Sequence, residues 1–78
     1  MNKSKMVREM KNKYVEYDIV IAEKKLSEQV KRGTEGVILS VHKARDQYDY
    51  TVEFLESTGE TIDILLVSEK DLESRDKE

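Results

Sequence analysis

Few residues in this chain could carry out catalysis. The 78 residues include one histidine, His42, and no cysteine. Ser40 precedes His42 by two positions, so on a β-strand the two side chains would lie on one face. A serine–histidine pair becomes a nucleophile only when a further group orients the histidine, and the pattern supplies none. We therefore interpret His42 as a solvent-facing residue and predict that the protein is not an enzyme.

Metal and cofactor sites are not predicted either. A chain without cysteine has neither disulfides nor thiolate metal ligands, and one histidine cannot build a histidine-rich centre. The segment 33–36, GTEG, lacks the spacing and the lysine of a phosphate-binding loop. No apolar run reaches the length of a membrane span, and the N-terminus lacks the apolar core of a signal peptide. These features predict a cytoplasmic protein that binds no cofactor.

Carboxylates are the stronger candidates for a binding site. Asp49 and Glu53 are predicted on the outer face of one strand, and Asp63 is predicted beside them on the next. An acidic patch of this kind would steer a basic protein and would resemble a phosphate backbone to a nuclease-like toxin. A solvated face that keeps the domain soluble is the simpler interpretation. The candidate partner-binding residues are Asp46, Asp49, Glu53, Glu56 and Asp63.

The net charge of −3 is the sum of a basic N-terminal arm and an acidic remainder. Residues 1–13 hold five basic residues and one acidic residue, a net charge of +4, whereas the remainder holds nine basic and sixteen acidic residues, a net charge of −7. Apolar residues in this arm have the spacing of one helical stripe: Met6, Val7, Met10 and Tyr14. The arm is therefore either a disordered segment or a helix that docks on the domain or on a partner.

Alternating apolar residues predict the strands that must position these side chains. Tyr50, Val52 and Phe54 are predicted to form the core with Val37, Leu39 and Val41. Leu26 and Val30, in a long loop, are predicted to fold over one end of that core. Gly33 and Gly36 lie where the chain enters the second strand, and each is predicted to have a positive φ or a close backbone approach. Strands are predicted at 16–22, 37–43, 48–55 and 61–67, with a 3₁₀ turn after Ser68 and a short strand at Leu72.

Short strands, tight turns and one long early loop are typical of a small SH3-like antiparallel β-barrel. An oligonucleotide-binding barrel is the second possibility. The chain is predicted to divide into a basic arm (1–15), a barrel (16–73) and a charged tail (74–78). Because the sequence has no proline to protect an edge strand, both a monomer and a dimer formed by strand pairing remain open.

Several short motifs resemble those of a known bacterial family, domain of unknown function 4926. They are Asp18–Val20, Leu26–Glu28, Val30–Gly33, Gly36–Ile38, Tyr50–Phe54, Gly59, Thr61, Ile64–Val67 and Leu72. The resemblance implies an SH3-like barrel with no assigned catalytic residues. Ser27 stands where the family commonly has proline, and the basic arm lies outside the family pattern. By analogy with other small proteins of this type, the family resemblance implies an immunity protein or antitoxin. Such a protein would occlude a partner protein, such as a basic toxin encoded nearby.

Nucleic-acid binding by a KOW-like or Tudor-like SH3 barrel is the alternative function. The segment 31–36, with Lys31, Arg32, Gly33 and Gly36, is faintly similar to the KOW pattern. Tyr48 and Tyr50 could stack on bases while the basic arm contacts phosphates. The acidic body argues against this function, since a nucleic-acid binder needs a continuous basic face. We therefore predict protein binding as the function.

Overall fold

The computed structural model describes residues 12–75. Its strands are β1 (Ile19–Ala22), β2 (Glu35–Ala44), β3 (Gln47–Leu55), β4 (Thr61–Ser68) and β5 (Leu72–Ser74), with a 3₁₀ helix at Glu69–Asp71. Every pairing is antiparallel, and the strands form one sheet in the order β4-β3-β2-β1-β5. The prediction of a mainly β, antiparallel fold is confirmed. The predicted helical arm lies largely in residues 1–11, outside the described residues.

The two outermost strands of the sheet are β4 and β5. Within residues 12–75, β4 pairs with β3 and β5 pairs with β1, and no pairing joins β4 to β5. The sheet is therefore open, and its hydrogen bonds do not close it into the predicted barrel. Ser68 and Asp71 make the predicted turn before β5, because the backbone N–H and the hydroxyl of Ser68 both donate to Asp71 Oδ2, at 3.1 and 3.4 Å.

The core lies on one side of the sheet and is centred on β3. Tyr50, Val52 and Phe54 are fully buried, as predicted. Their partners on β2 differ from the prediction, because Ile38 lies opposite Val52 and Gly36 lies opposite Phe54.

A bulge in β2 explains this difference. The register shifts between Ile38 and Ser40, and Val41 comes to lie opposite the buried Tyr50. An extra residue at a bulge reverses the inside–outside alternation on its far side. The prediction that Val37 and Leu39 belong to the buried core is therefore wrong, since both are only partly buried, whereas Val41 packs against the core.

Tyr14 joins the core from the segment that precedes β1. Its ring is 3% exposed and packs edge-on against the Tyr50 ring, with centroids 5.5 Å apart and planes at 71°. Its hydroxyl donates to the Leu72 carbonyl at 3.3 Å. Tyr14 was assigned to the arm by sequence, but its side chain is integral to the folded body.

The Tyr50 hydroxyl fastens this segment to the sheet. It donates to Glu69 Oε2 at 2.7 Å and accepts from the backbone N–H groups of Lys13 and Tyr14, at 3.1 and 3.3 Å. Burial, followed by the hydrogen bond to Glu69, raises the pKa of Tyr50 from 10.0 to about 12. The folded state therefore holds the phenolic proton more tightly than the unfolded chain does.

This raised pKa predicts a specific loss of stability in alkali. Because the folded pKa exceeds the unfolded value, the contribution of Tyr50 is complete below about pH 10 and is lost as the pH rises towards 12. The free-energy difference between the wild type and Tyr50→Phe should shrink over that interval, since phenylalanine does not titrate. Urea unfolding of both proteins from pH 8 to 12 measures the difference and cancels the titration of groups that do not contact Tyr50. A difference that stays constant up to pH 12 would contradict the prediction.

Candidate functional site

The outer face of the sheet, on the side opposite the core, carries both exposed apolar side chains and carboxylates. Directly opposed residues of an antiparallel pair project to the same face. Glu53 of β3 lies opposite Ile64 of β4, and Thr51 lies opposite Leu66. These four residues alternate with the buried positions of their strands, so they share the outer face. We call these residues, with Asp49, the outer patch.

Ile64 and Leu66 are the apolar part of the outer patch. Their side chains are 52% and 65% exposed, although each is large and aliphatic. Isolated exposed apolar residues are common on protein surfaces. Two of them at alternate positions of one strand, beside carboxylates, form a small mixed surface of the kind found at protein interfaces. The sequence patterns did not select Ile64 and Leu66 as contacts.

Two of the predicted site residues belong to the outer patch. Asp49 lies opposite His42 of β2 and accepts a hydrogen bond from the Gln47 side chain at 3.2 Å. Glu53 accepts one from the Thr61 hydroxyl. The ion pairs among residues 12–75 lie elsewhere, so both carboxylates keep an unneutralised negative charge within the described structure.

The other three predicted site residues do not join this patch. Asp46 lies in the turn before β3 and Glu56 in the turn after it, roughly 30 Å apart along an extended strand. Each lines a separate open cleft, of about 340 and 630 Å³ respectively. Asp63 lies opposite the buried Phe54 and so projects to the other side of β4. The five carboxylates therefore do not form one continuous surface.

His42 makes hydrogen bonds that the sequence did not indicate. Its Nε2 atom lies 3.0 Å from Ser40 Oγ and 2.9 Å from Thr51 Oγ1. All three side chains lie on the outer face of β2 and β3, outside both clefts. The serine and the threonine thus share one ring nitrogen on an open strand surface. Such a surface does not enclose a substrate or exclude water, as nucleophilic catalysis generally requires.

Tyr17 is a surface feature that sequence reasoning missed. It occupies a turn in which the Asp18 N–H donates to the Val15 carbonyl at 3.1 Å, and its φ is +74°. A bulky residue rarely adopts this left-handed conformation, which costs energy. The Tyr17 side chain is nevertheless 74% exposed. No sequence pattern distinguishes this tyrosine from the other three, since only the backbone reveals the strain.

The fold and the outer patch define a small mainly β domain with a mixed apolar and acidic sheet face. Comparison with family models matches residues 16–74 to the domain of unknown function DUF4926. The match covers most of the chain, and the protein therefore belongs to this family, as the motifs predicted. No curated protein and no solved structure matched the chain. Among residues 12–75, no helix has the length and apolar character needed to cross a membrane.

Proposed function

We propose that this protein is a non-catalytic module that binds a basic partner protein through the outer patch. The observation that supports the proposal best is the position of exposed Ile64 directly opposite Glu53. Apolar side chains supply contact area, and neighbouring carboxylates select a basic partner and accelerate its association. The open setting of His42 supports a role without catalysis.

We further propose that the domain is an SH3-like barrel and that it acts in the cytoplasm as an immunity protein or antitoxin. A four-stranded meander, β1 to β4, followed by a 3₁₀ turn and a fifth strand that returns to pair with β1 suits an SH3-like barrel. A small domain that covers a basic surface suits an immunity protein or antitoxin, which acts by occlusion. A chain without cysteine suits the cytoplasm.

Nucleic-acid binding receives less support from the geometry. Tyr50, one of the two tyrosines considered for base stacking, is fully buried, and its hydroxyl is engaged with Glu69. The outer patch carries negative charge, which repels phosphates. The affinity capture described below distinguishes nucleic-acid binding from protein binding.

Charge reversal in the outer patch should abolish most of the partner binding. We expect the double variant Asp49→Lys/Glu53→Lys to bind at least about tenfold more weakly, which corresponds to about 1.4 kcal/mol. Both side chains are half-buried on the outer face and outside the core, so the fold should persist. The measurement is affinity capture from nuclease-treated native lysate at physiological salt, followed by titration of the purified partner.

A matched control separates the outer patch from net charge. Glu28→Lys/Glu60→Lys makes the same charge change at exposed residues outside the patch and should bind the partner as the wild type does. Equal binding by both double variants would remove the outer patch from the proposal. Capture of nucleic acid alone from a parallel untreated lysate, lost after nuclease treatment or added salt, would instead favour the alternative function.

A further inference from the structure

The free edge of β4 has a particular pattern of backbone hydrogen bonds. Within residues 12–75, β4 has only β3 as a strand neighbour, so its other edge faces away from the sheet. The Ile64 N–H donates to Asp63 Oδ1 at 2.9 Å, and the Ser68 N–H donates to Asp71 Oδ2 at 3.1 Å. Alternate amides of a strand point to the same edge. Both side-chain acceptors therefore cover outward amides of β4.

This edge lacks two of the common protections against strand pairing, proline and lysine. Exposed edges are usually blocked by proline, by lysine or by inward-pointing charges. The eight residues of β4, TIDILLVS, contain no proline and no basic residue. Asp63 is their only charged residue, and it lies opposite the buried Phe54, on the core side of the sheet. The Asp63 carboxylate thus combines an inward-pointing charge with direct occupation of an edge amide.

The sequence of β4 is complementary to itself in one antiparallel register. A two-fold axis at Leu65 would place Ile64 of one copy opposite Leu66 of the other. Both residues present outward amides, so this pair would form hydrogen bonds in the extended sheet. The same register would bring two exposed aliphatic side chains together on the outer face. It would set each Asp63 opposite Val67, so no like charges would face each other.

We propose that the β4 edge is a pairing surface for a second copy of this chain, and that the Asp63 carboxylate keeps it closed. Pairing requires the Ile64 amide to exchange Asp63 Oδ1 for the carbonyl of Leu66 in the other copy. While Asp63 occupies that amide, the protein remains a monomer. This inference concerns the edge of the sheet and does not depend on the proposed binding function.

Replacement of Asp63 tests the inference directly. In the full-length chain, Asp63→Ala should convert a monomer of 9.1 kDa into a concentration-dependent dimer with twice that mass. Sedimentation equilibrium of the wild type and the variant, over the same concentrations, measures the change. Asp49→Ala is the matched control, because it removes one carboxylate from β3 rather than from the edge, and it should stay monomeric. Asp63→Thr provides the same test with a strand-forming residue if the alanine variant does not fold.

A second substitution locates the contact. Asp63→Ala/Leu66→Lys should return the protein to the monomer, because a lysine would face Ile64 of the other copy. A monomeric Asp63→Ala variant that is fully folded would overturn the inference. A dimer of Asp63→Ala that Leu66→Lys does not dissociate would also overturn it. So would a wild-type protein that is already a dimer and that Leu66→Lys dissociates, because Asp63 would then not keep the edge closed.

Discussion

Tyr14→Ala is expected to remove most of the stability of this domain. Truncation of a buried aromatic side chain to alanine costs about 3–5 kcal/mol, and a domain of this size holds only about 3–5 kcal/mol in total. Tyr14 is 3% exposed and contacts the ring of Tyr50, so the loss would leave a cavity in the core. Urea unfolding followed by circular dichroism should show a variant that is largely unfolded at 25 °C.

Tyr14→Phe is the matched control for this prediction. It keeps the ring and removes only the hydroxyl that donates to the Leu72 carbonyl, so it should cost about 1 kcal/mol. An unfolding midpoint that does not change in Tyr14→Ala would mean that the segment before β1 is not part of the core. The two substitutions together separate ring packing from hydrogen bonding.

Gly36→Ala is expected to be the second most damaging substitution. Gly36 lies inside β2, opposite Phe54 and beside Val20 of β1. A Cβ atom at this position would lie 2.6 Å from Val52 Cγ1 and 2.9 Å from Phe54 Cδ1. Overpacking of a buried site costs about 1–3 kcal/mol, and the neighbours here are fully buried. Denaturant unfolding should show a lower midpoint with an unchanged slope.

A double-mutant cycle with Val52→Ala identifies the cause. Val52→Ala alone should destabilise the protein by leaving a cavity, but it also removes the nearest clashing atom. The double variant should therefore be more stable than the sum of the two single losses predicts. Strictly additive losses would indicate that the cost of Gly36→Ala arises from something other than contact with Val52.

Much of the fold is local in origin, and the sequence alone predicted that part. Period-two alternation located β2, β3 and β4 and assigned Tyr50, Val52 and Phe54 to the core, because side chains in a strand project to alternate faces. The first strand was predicted to begin at residue 16 and begins instead at Ile19. Gly33 was predicted to have a positive φ or a close backbone approach, and its φ is +94°. The family match could also be anticipated, since its motifs are short segments of turn and strand residues.

The candidate site was only partly predictable from sequence. Asp49 and Glu53 could be placed on one face because they share one strand. Asp63 does not lie beside them, because its side depends on the register in which β4 pairs with β3, and that register places it opposite the buried Phe54. Neither the strained backbone of Tyr17 nor the exposure of Leu66 follows from residue type or spacing.

Only the tertiary structure decided how the two sides of the sheet are filled. The bulge after Ile38 put Ile38, rather than Val37, on the core side of β2 and left Val41 there as predicted, whereas alternation read from sequence assumes a continuous register. By sequence, Gly36 could serve either a positive φ or a close approach to a neighbouring group. Its position opposite Phe54 shows that it serves the close approach. Tyr14 entered the core because Tyr50 and Leu72, distant in sequence, bind it there. Patterns along a chain encode local periodicity, whereas register and long-range packing depend on residues that meet only after folding.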